Sequence, residues 1–193
     1  LTPVFACSIS KNYLTGYGND MTGIKAIADA LCVSSSMNKL NVLSNFIGGE
    51  GYEILTKVAE EKGMLTLVGF DEGQTEADFS NMNLGYTDAK LIARELTTGF
   101  VSSSMNSLDI SNNRIGVDAY GYSEMTGVKA IADALSVSTS MNKLNVLSNY
   151  IDTEGGQAFV DAAPPQLQTF CGFEEEQTEA NLSGQGLGPG DAV

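Results

Sequence analysis

The sequence predicts an α/β solenoid in which short parallel strands alternate with helices, and three observations predict it. The first is a long internal copy: MTGIKAIADALCVSSSMNKLNVLSN at 21–45 returns as MTGVKAIADALSVSTSMNKLNVLSN at 125–149, with only Ile24/Val128, Cys32/Ser136 and Ser35/Thr139 differing. Self-similarity at a fixed period means a fold assembled from like units. The second is a smaller motif inside the copy, an apolar alternation that closes on asparagine. It reads Met37, Leu40, Val42, Asn45, Ile47, then Met105, Leu108, Ile110, Asn113, Ile115, then Met141, Leu144, Val146, Asn149, Ile151. A weaker version opens the chain with Val4, Cys7, Ile9, Asn12, Leu14. The third is that helical spacing stands between these motifs.

Each strand follows from alternation. Leu40 and Val42 are two apart, as are Leu108 and Ile110 and Leu144 and Val146, the period of a strand with one buried face. Asn12, Asn45, Asn113 and Asn149 stand where the chain turns away, and there an amide can pair backbone groups that a turn leaves unbonded. These four are assigned a structural role.

The helices follow from the wider period. Ile24, Ile27, Ala28 and Leu31 fall at i, i+3, i+4, i+7; Val128, Ile131, Ala132, Leu135 and Ala89, Ile92, Ala93, Leu96 repeat it. Thr87 or Asp88 is placed to cap the last of these, and Gly99 follows its end. Gly49 to Lys62 carries Leu55, Val58 and Ala59 on one side and stops at Gly63; Glu154 to Ala163 stops at Pro164 and Pro165.

Phrases such as NVLSNFIGGEG, LDISNNRIG and TGVKAIADAL resemble the leucine-rich repeat family, in its ribonuclease-inhibitor-like subclass, over essentially the whole chain. The resemblance implies a horseshoe with a parallel sheet on its concave face and helices outside. It also implies binding of protein partners rather than catalysis. One segment pair departs from the pattern: MLTLVGFDEGQTEADFSNMNLG at 64–85 matches LQTFCGFEEEQTEANLSGQGLG at 167–188, with Met82 and Gln185 where asparagine is expected. Its half-units start too close together for a helical crossover, and two strands joined by a tight loop are favoured over one strand with an insertion. The expectation is a single leucine-rich repeat domain over 1–193, with super-repeat copies at about 1–104 and 105–193. It would hold about eight strands and five to six helices. The second copy stops at GPGDAV, where the first continues into a helix, so the chain reads as a fragment or processed form.

Composition bounds the rest. Hydrophobic residues make up 42%, ordinary for an ordered protein. No apolar run reaches the length of a membrane span, and LTPVFACSIS lacks the basic start and apolar centre of a signal peptide. Cys7, Cys32 and Cys171 are odd in number and irregular in spacing, which reads as reduced packing thiols and an intracellular protein, in the cytoplasm or in an organelle after presequence removal. The net charge is −14, and after Lys143 there are eight acids and no base. Such a chain is unsuited to nucleic acid and suited to a basic protein partner or simply to a solvated surface. The acidic loops DEGQTE (71–76) and EEEQTE (174–179) fall at matching places in the two copies.

Chemistry finds few instruments. Histidine is absent, which removes the histidine-based triads and metal sites, and there is no CxxC and no GxxxxGK[ST]. Asp109, Ser111 and Asn113 imitate the start of a calcium loop, but Arg114 stands where such a loop needs glycine. The sequon Asn181-Leu182-Ser183 lies in a strand unit and is discounted. No catalytic residue, cofactor or metal is assigned.

If the strands form one concave sheet, alternation exposes the neighbours of the buried positions. These are Lys39, Asn41 and Leu43; Ser107, Asp109 and Ser111; Lys143, Asn145 and Leu147; Thr66, Val68 and Phe70; and Thr169, Cys171 and Phe173. Leu43, Val68 and Phe70, matched by Leu147, Cys171 and Phe173, would then make two exposed apolar patches of the kind that bind partners. The favoured function is a non-enzymatic interaction scaffold using that face or the acidic loops. The alternative is a structural building block of a larger assembly, held by its uncapped ends.

Overall fold

The computed structural model describes residues 5–16, 18–98, 101–173, 179, 182 and 186–192, with Phe5 described by its backbone alone. The expectations placed on Val4, Gly99, the loop 174–178 and the sequon residues Asn181 and Ser183 lie outside the described residues. The chain divides into two compact units, Leu1–Phe70 and Asp71–Val193.

In the first unit, β1 (Phe5–Ser8) pairs in parallel with β2 (Met37–Asn41), placing Cys7 beside Leu40 and Ser8 beside Asn41. Helix α1 (Thr22–Val33) connects them and buries Ile24, Ala28 and Leu31, three of the four residues its spacing selected. Helix α2 (Gly48–Lys62) buries Leu55, Val58 and Ala59 and packs against α1. It ends at Gly63, whose φ of 61° is the left-handed geometry that glycine adopts without steric penalty.

In the second unit, β3 (Glu76–Asp78), β4 (Ser107–Asp109) and β5 (Lys143–Asn145) form a parallel three-stranded sheet in the order β3-β4-β5. The register lines up Ala77, Leu108 and Leu144 on one face. Helix α3 (Tyr86–Thr97) opens with Asp88, one of the two expected capping residues, whose Oδ2 accepts the Gly85 N–H at 2.8 Å. Helix α4 (Thr126–Ser136) crosses α3 closely at Gly127. A Cβ there would lie 2.5 Å from the Tyr86 carbonyl oxygen, so no other residue fits without moving backbone. Helix α5 (Thr153–Ala162) starts on Asp152, whose Oδ1 accepts the Gly155 N–H at 2.8 Å, and ends before Pro164.

The leucine-rich repeat horseshoe of about eight strands is therefore corrected. Among the described residues there are five α-helices, a short 3-10 helix at Pro189–Ala192 and five short strands, the strands in two small parallel sheets rather than one continuous solenoid sheet. The strands expected at 64–70 and 167–173 form only isolated bridges, Lys39 to Thr66, Lys143 to Thr169 and Asn145 to Cys171, and the one expected from Ala180 to Leu187 lies largely outside the described residues. Threonine is the local reason. The Thr66 Oγ1 accepts the N–H groups of Val68, Gly69 and Phe70 at 3.0, 2.8 and 3.3 Å, and Gly69 turns to a φ of 93°. A hydroxyl that captures three successive donors curls the chain where a strand would continue it. Thr169 does the same to Cys171 and Phe173.

Candidate functional site

The asparagine register is the most developed polar feature. Asn113 is buried; its Nδ2 donates to the carbonyls of Phe79, Ile110 and Ser111 at 2.9, 2.9 and 3.1 Å. Its Oδ1 accepts the N–H groups of Met82 and Leu84 at 3.0 and 2.9 Å. Asn149 donates to Ile110, Val146 and Leu147 and accepts, at 3.5 Å, from Ile115. Asn45 donates to Ile9, Val42 and Leu43, while its Oδ1 has no partner among the described residues. Asn12 is exposed and donates to Ile9 and Ser10. Each buried amide thus bonds its own turn and reaches one carbonyl just past the end of the preceding strand. Asn113 and Asn149 use both the donor and the acceptor end of the amide on backbone, and Asn45 uses its donor end, so the set serves the turns first.

The residues expected on a binding face separate into two groups. Lys39 and Asn41 on β2, Asp109 on β4, and Lys143 and Asn145 on β5 are half-exposed beside buried leucines, where alternation puts them. In the three-stranded sheet they extend into two rows, Glu76–Ser107–Lys143 and Asp78–Asp109–Asn145. The Asp109 Oδ2 accepts from Asn145 Nδ2 at 2.8 Å, and its Oδ1 accepts the Ser111 hydroxyl and N–H at 2.6 and 2.8 Å. Ser111 is buried by this arrangement.

Four of the six apolar members do not join that face: the first expected patch is corrected whole, and the second at Leu147. Leu43, Val68 and Phe70 are 0%, 1% and 1% exposed, and Leu147 is 8% exposed. Alternation fails because the strands end first. β2 stops at Asn41, whose Oδ1 accepts the Leu43 N–H at 3.0 Å, and Ser44 turns to a φ of 60°. β5 stops at Asn145, which takes the Leu147 N–H at 3.3 Å ahead of Ser148 at 58°. Past such a turn the period of two no longer applies, and the leucine swings into the core. Cys171 and Phe173 are half-exposed, and Cys171 lines a cleft of about 340 Å³ together with Val146, Leu147, Phe159, Leu167 and Phe170. Its titratable lining residues are Cys171 and Asp191. Burial, reinforced by the Asp191 carboxylate, pushes the Cys171 thiol up. Asp191 is itself engaged, accepting the N–H groups of Ser148 and Gly188 at 3.0 and 2.6 Å. A thiol held protonated beside a carboxylate committed to backbone is a poor nucleophile–base pair.

Sequence reasoning passed over one group. Tyr120 and Tyr122 are 67% and 73% exposed on a hairpin that leads into α4, and Tyr150 is 65% exposed in the turn after β5. The legible signal was loop length: Asn113 to Met125 is three residues longer than its counterpart Asn12 to Met21, and the longer loop carries a Tyr-Gly-Tyr run.

Among the described residues no group of three or more potential ligands is placed to hold a metal, and no helix is long and apolar enough to cross a membrane. No protein-family model matches the chain, and no curated protein is significantly similar to it.

Proposed function

We propose that the chain is a non-enzymatic scaffold that binds a protein partner of basic character through the open face of its strands or through its acidic loops. The observation that carries this reading is the polar row Asp78–Asp109–Asn145 beside Glu76–Ser107–Lys143. These side chains sit on strands whose other face is core, so their spacing is fixed by backbone pairing rather than by flexible loops. The net charge of −14 favours a cationic counterpart and supports fast, electrostatically guided encounter. The buried asparagines supply rigidity to that surface, since each locks the turn that ends a strand.

The test is affinity capture with the intact chain and mass spectrometry of what is retained. Two variants separate the surfaces: Ser107→Arg with Asp109→Arg on the sheet face, and Asp71→Lys with Glu72→Lys in the first acidic loop. Loss of the same partner from either variant supports the proposal and locates it. Retention of every partner by both variants, with their fold intact by circular dichroism, removes it.

A further inference from the structure

We propose that the Tyr120–Gly121–Tyr122 hairpin, with Tyr150 at its base, is the docking surface for an arginine-bearing segment of the protein partner. This rests on the scaffold reading and gives it a place and a recognition chemistry.

The hairpin is built, not merely exposed. Val117 and Ser123 pair in antiparallel fashion, the Asp118 N–H donates to the Tyr122 carbonyl at 2.8 Å, and the Glu124 N–H donates to the Gly116 carbonyl at 2.9 Å. The Asp118 Oδ1 accepts the N–H groups of both Tyr120 and Tyr122 at 2.9 Å. Gly121 between them has a φ of 87°. The base is seated on the neighbouring turn. Gly116 lies so close to the Tyr150 carbonyl that a Cβ would collide with it, and the Ser123 hydroxyl stands 3.5 Å from Asp152 Oδ2. Ile115 and Val117 are buried below.

The connection itself does not require this structure, since the first copy makes the same passage with three residues fewer. Both passages carry two tyrosines, Tyr13 and Tyr17 in the first copy and Tyr120 and Tyr122 in the second; the longer one holds its two rings in water on a paired, pre-ordered hairpin, with Tyr150 on the turn beneath. Tyrosines so placed offer large contact area with little conformational entropy left to lose, the property that concentrates binding energy on few residues. Exposed rings gathered on one ordered feature are the kind of surface that marks an interaction site.

Charge selects the partner. The acids on the hairpin and on the turn beneath it are Asp118, Glu124, Asp152 and Glu154; the bases are Arg114 and Lys129, and Lys129 is paired with Glu154 at 2.7 Å. The local balance is negative, in keeping with the chain. A tyrosine face beside carboxylates attracts a cation through its quadrupole, and the planar guanidinium stacks where an ammonium only points. The hairpin already lies against one such group: a Cβ at Gly121 would be 3.9 Å from Arg114 Nη2. An incoming arginine would meet the exposed faces of Tyr120 and Tyr122.

The experiment titrates the intact chain into a fluorescein-labelled alternating Arg-Gly octapeptide, followed by anisotropy, with Lys-Gly and Glu-Gly octapeptides alongside. The Arg-Gly peptide is expected to bind most tightly. Tyr120→Ala with Tyr122→Ala is expected to weaken it about tenfold, two cation–π contacts' worth. Tyr120→Phe with Tyr122→Phe, which keeps both rings, retains binding and shows that the hairpin has not simply collapsed. Tyr13→Ala, which removes an exposed ring in the first unit, leaves binding unchanged. Equal binding of Arg-Gly and Lys-Gly peptides, or an alanine variant that binds as tightly as the parent, overturns the proposal. In affinity capture, a partner retained by the double alanine variant refutes the hairpin while the scaffold reading stands. A native chain that captures no partner refutes the scaffold reading, and the hairpin proposal with it.

Discussion

Replacing Asn113 by alanine removes five hydrogen bonds at one buried point. The Leu84 N–H loses its carboxamide acceptor at a residue with no exposure, and a buried donor left unpaired costs about 1–3 kcal/mol. The Met82 N–H is only part-buried and recovers a bond to water, so its loss is smaller. Of the three carbonyls released, that of Ile110 still accepts from Asn149 at 2.8 Å. The sum expected is about 3 kcal/mol, a large fraction of a domain's stability. Urea unfolding followed by circular dichroism measures it, with the slope m unchanged if only the native state is affected. The same reasoning orders the whole set. Asn149→Ala should follow, since its acceptor bond is long; Asn45→Ala should cost less, since its Oδ1 has no partner to abandon among the described residues; Asn12→Ala, at an exposed turn, should stay within about 0.5 kcal/mol. An Asn113→Ala loss below about 0.5 kcal/mol, or an Asn12→Ala loss as large as that of Asn113, would refute the claim that these amides act through buried backbone.

Three further outcomes are expected. Gly127→Ala should destabilise by about 1–3 kcal/mol, because its Cβ meets Tyr86 backbone that cannot yield, whereas Gly23→Ala, 3.0 Å from the Leu14 carbonyl, should be milder; thermal melts that rank them the other way would contradict the close crossing of α3 and α4. Asp152→Ala should cost about 1 kcal/mol by uncapping α5, and Asp152→Asn should recover most of it. The Cys171 thiol, raised by burial and by Asp191, holds less thiolate at about pH 8 than an ordinary thiol, so iodoacetamide should label exposed Cys32 first, and Cys171 should catch up only as pH rises; equal labelling rates at that pH, by peptide mapping, would sink the assignment.

The helices were legible because their signal is long: Val128, Ile131, Ala132 and Leu135 recur over two turns, and all four are buried. The strand cores were legible for the same reason at shorter range, Leu40 with Val42 and Leu144 with Val146. What could not be read was where each strand stops. That is decided by single side chains, by Asn41 and Asn145 capturing an N–H two residues on and by Thr66 capturing three, and such capture leaves no periodic trace. The error then compounds, because one residue of misplaced strand end turns a core leucine into a surface one. The tyrosine hairpin escaped for the opposite reason. It is what the second copy does not share with the first, and attention to repetition passes over the insertion that breaks it.

The carbonyl of Ile9 accepts the amides of both Asn12 and Asn45, and that of Ile110 accepts those of both Asn113 and Asn149. At these two places one oxygen serves its own bend and the next, so the segment carries both the lock and the key to its successor. A gene that duplicates such a segment needs no new fitting surface, since the copy arrives already matched to its template. Lengthening by tandem copying is then mechanically permitted from the first event, and a near-verbatim repeat is the trace such an event leaves.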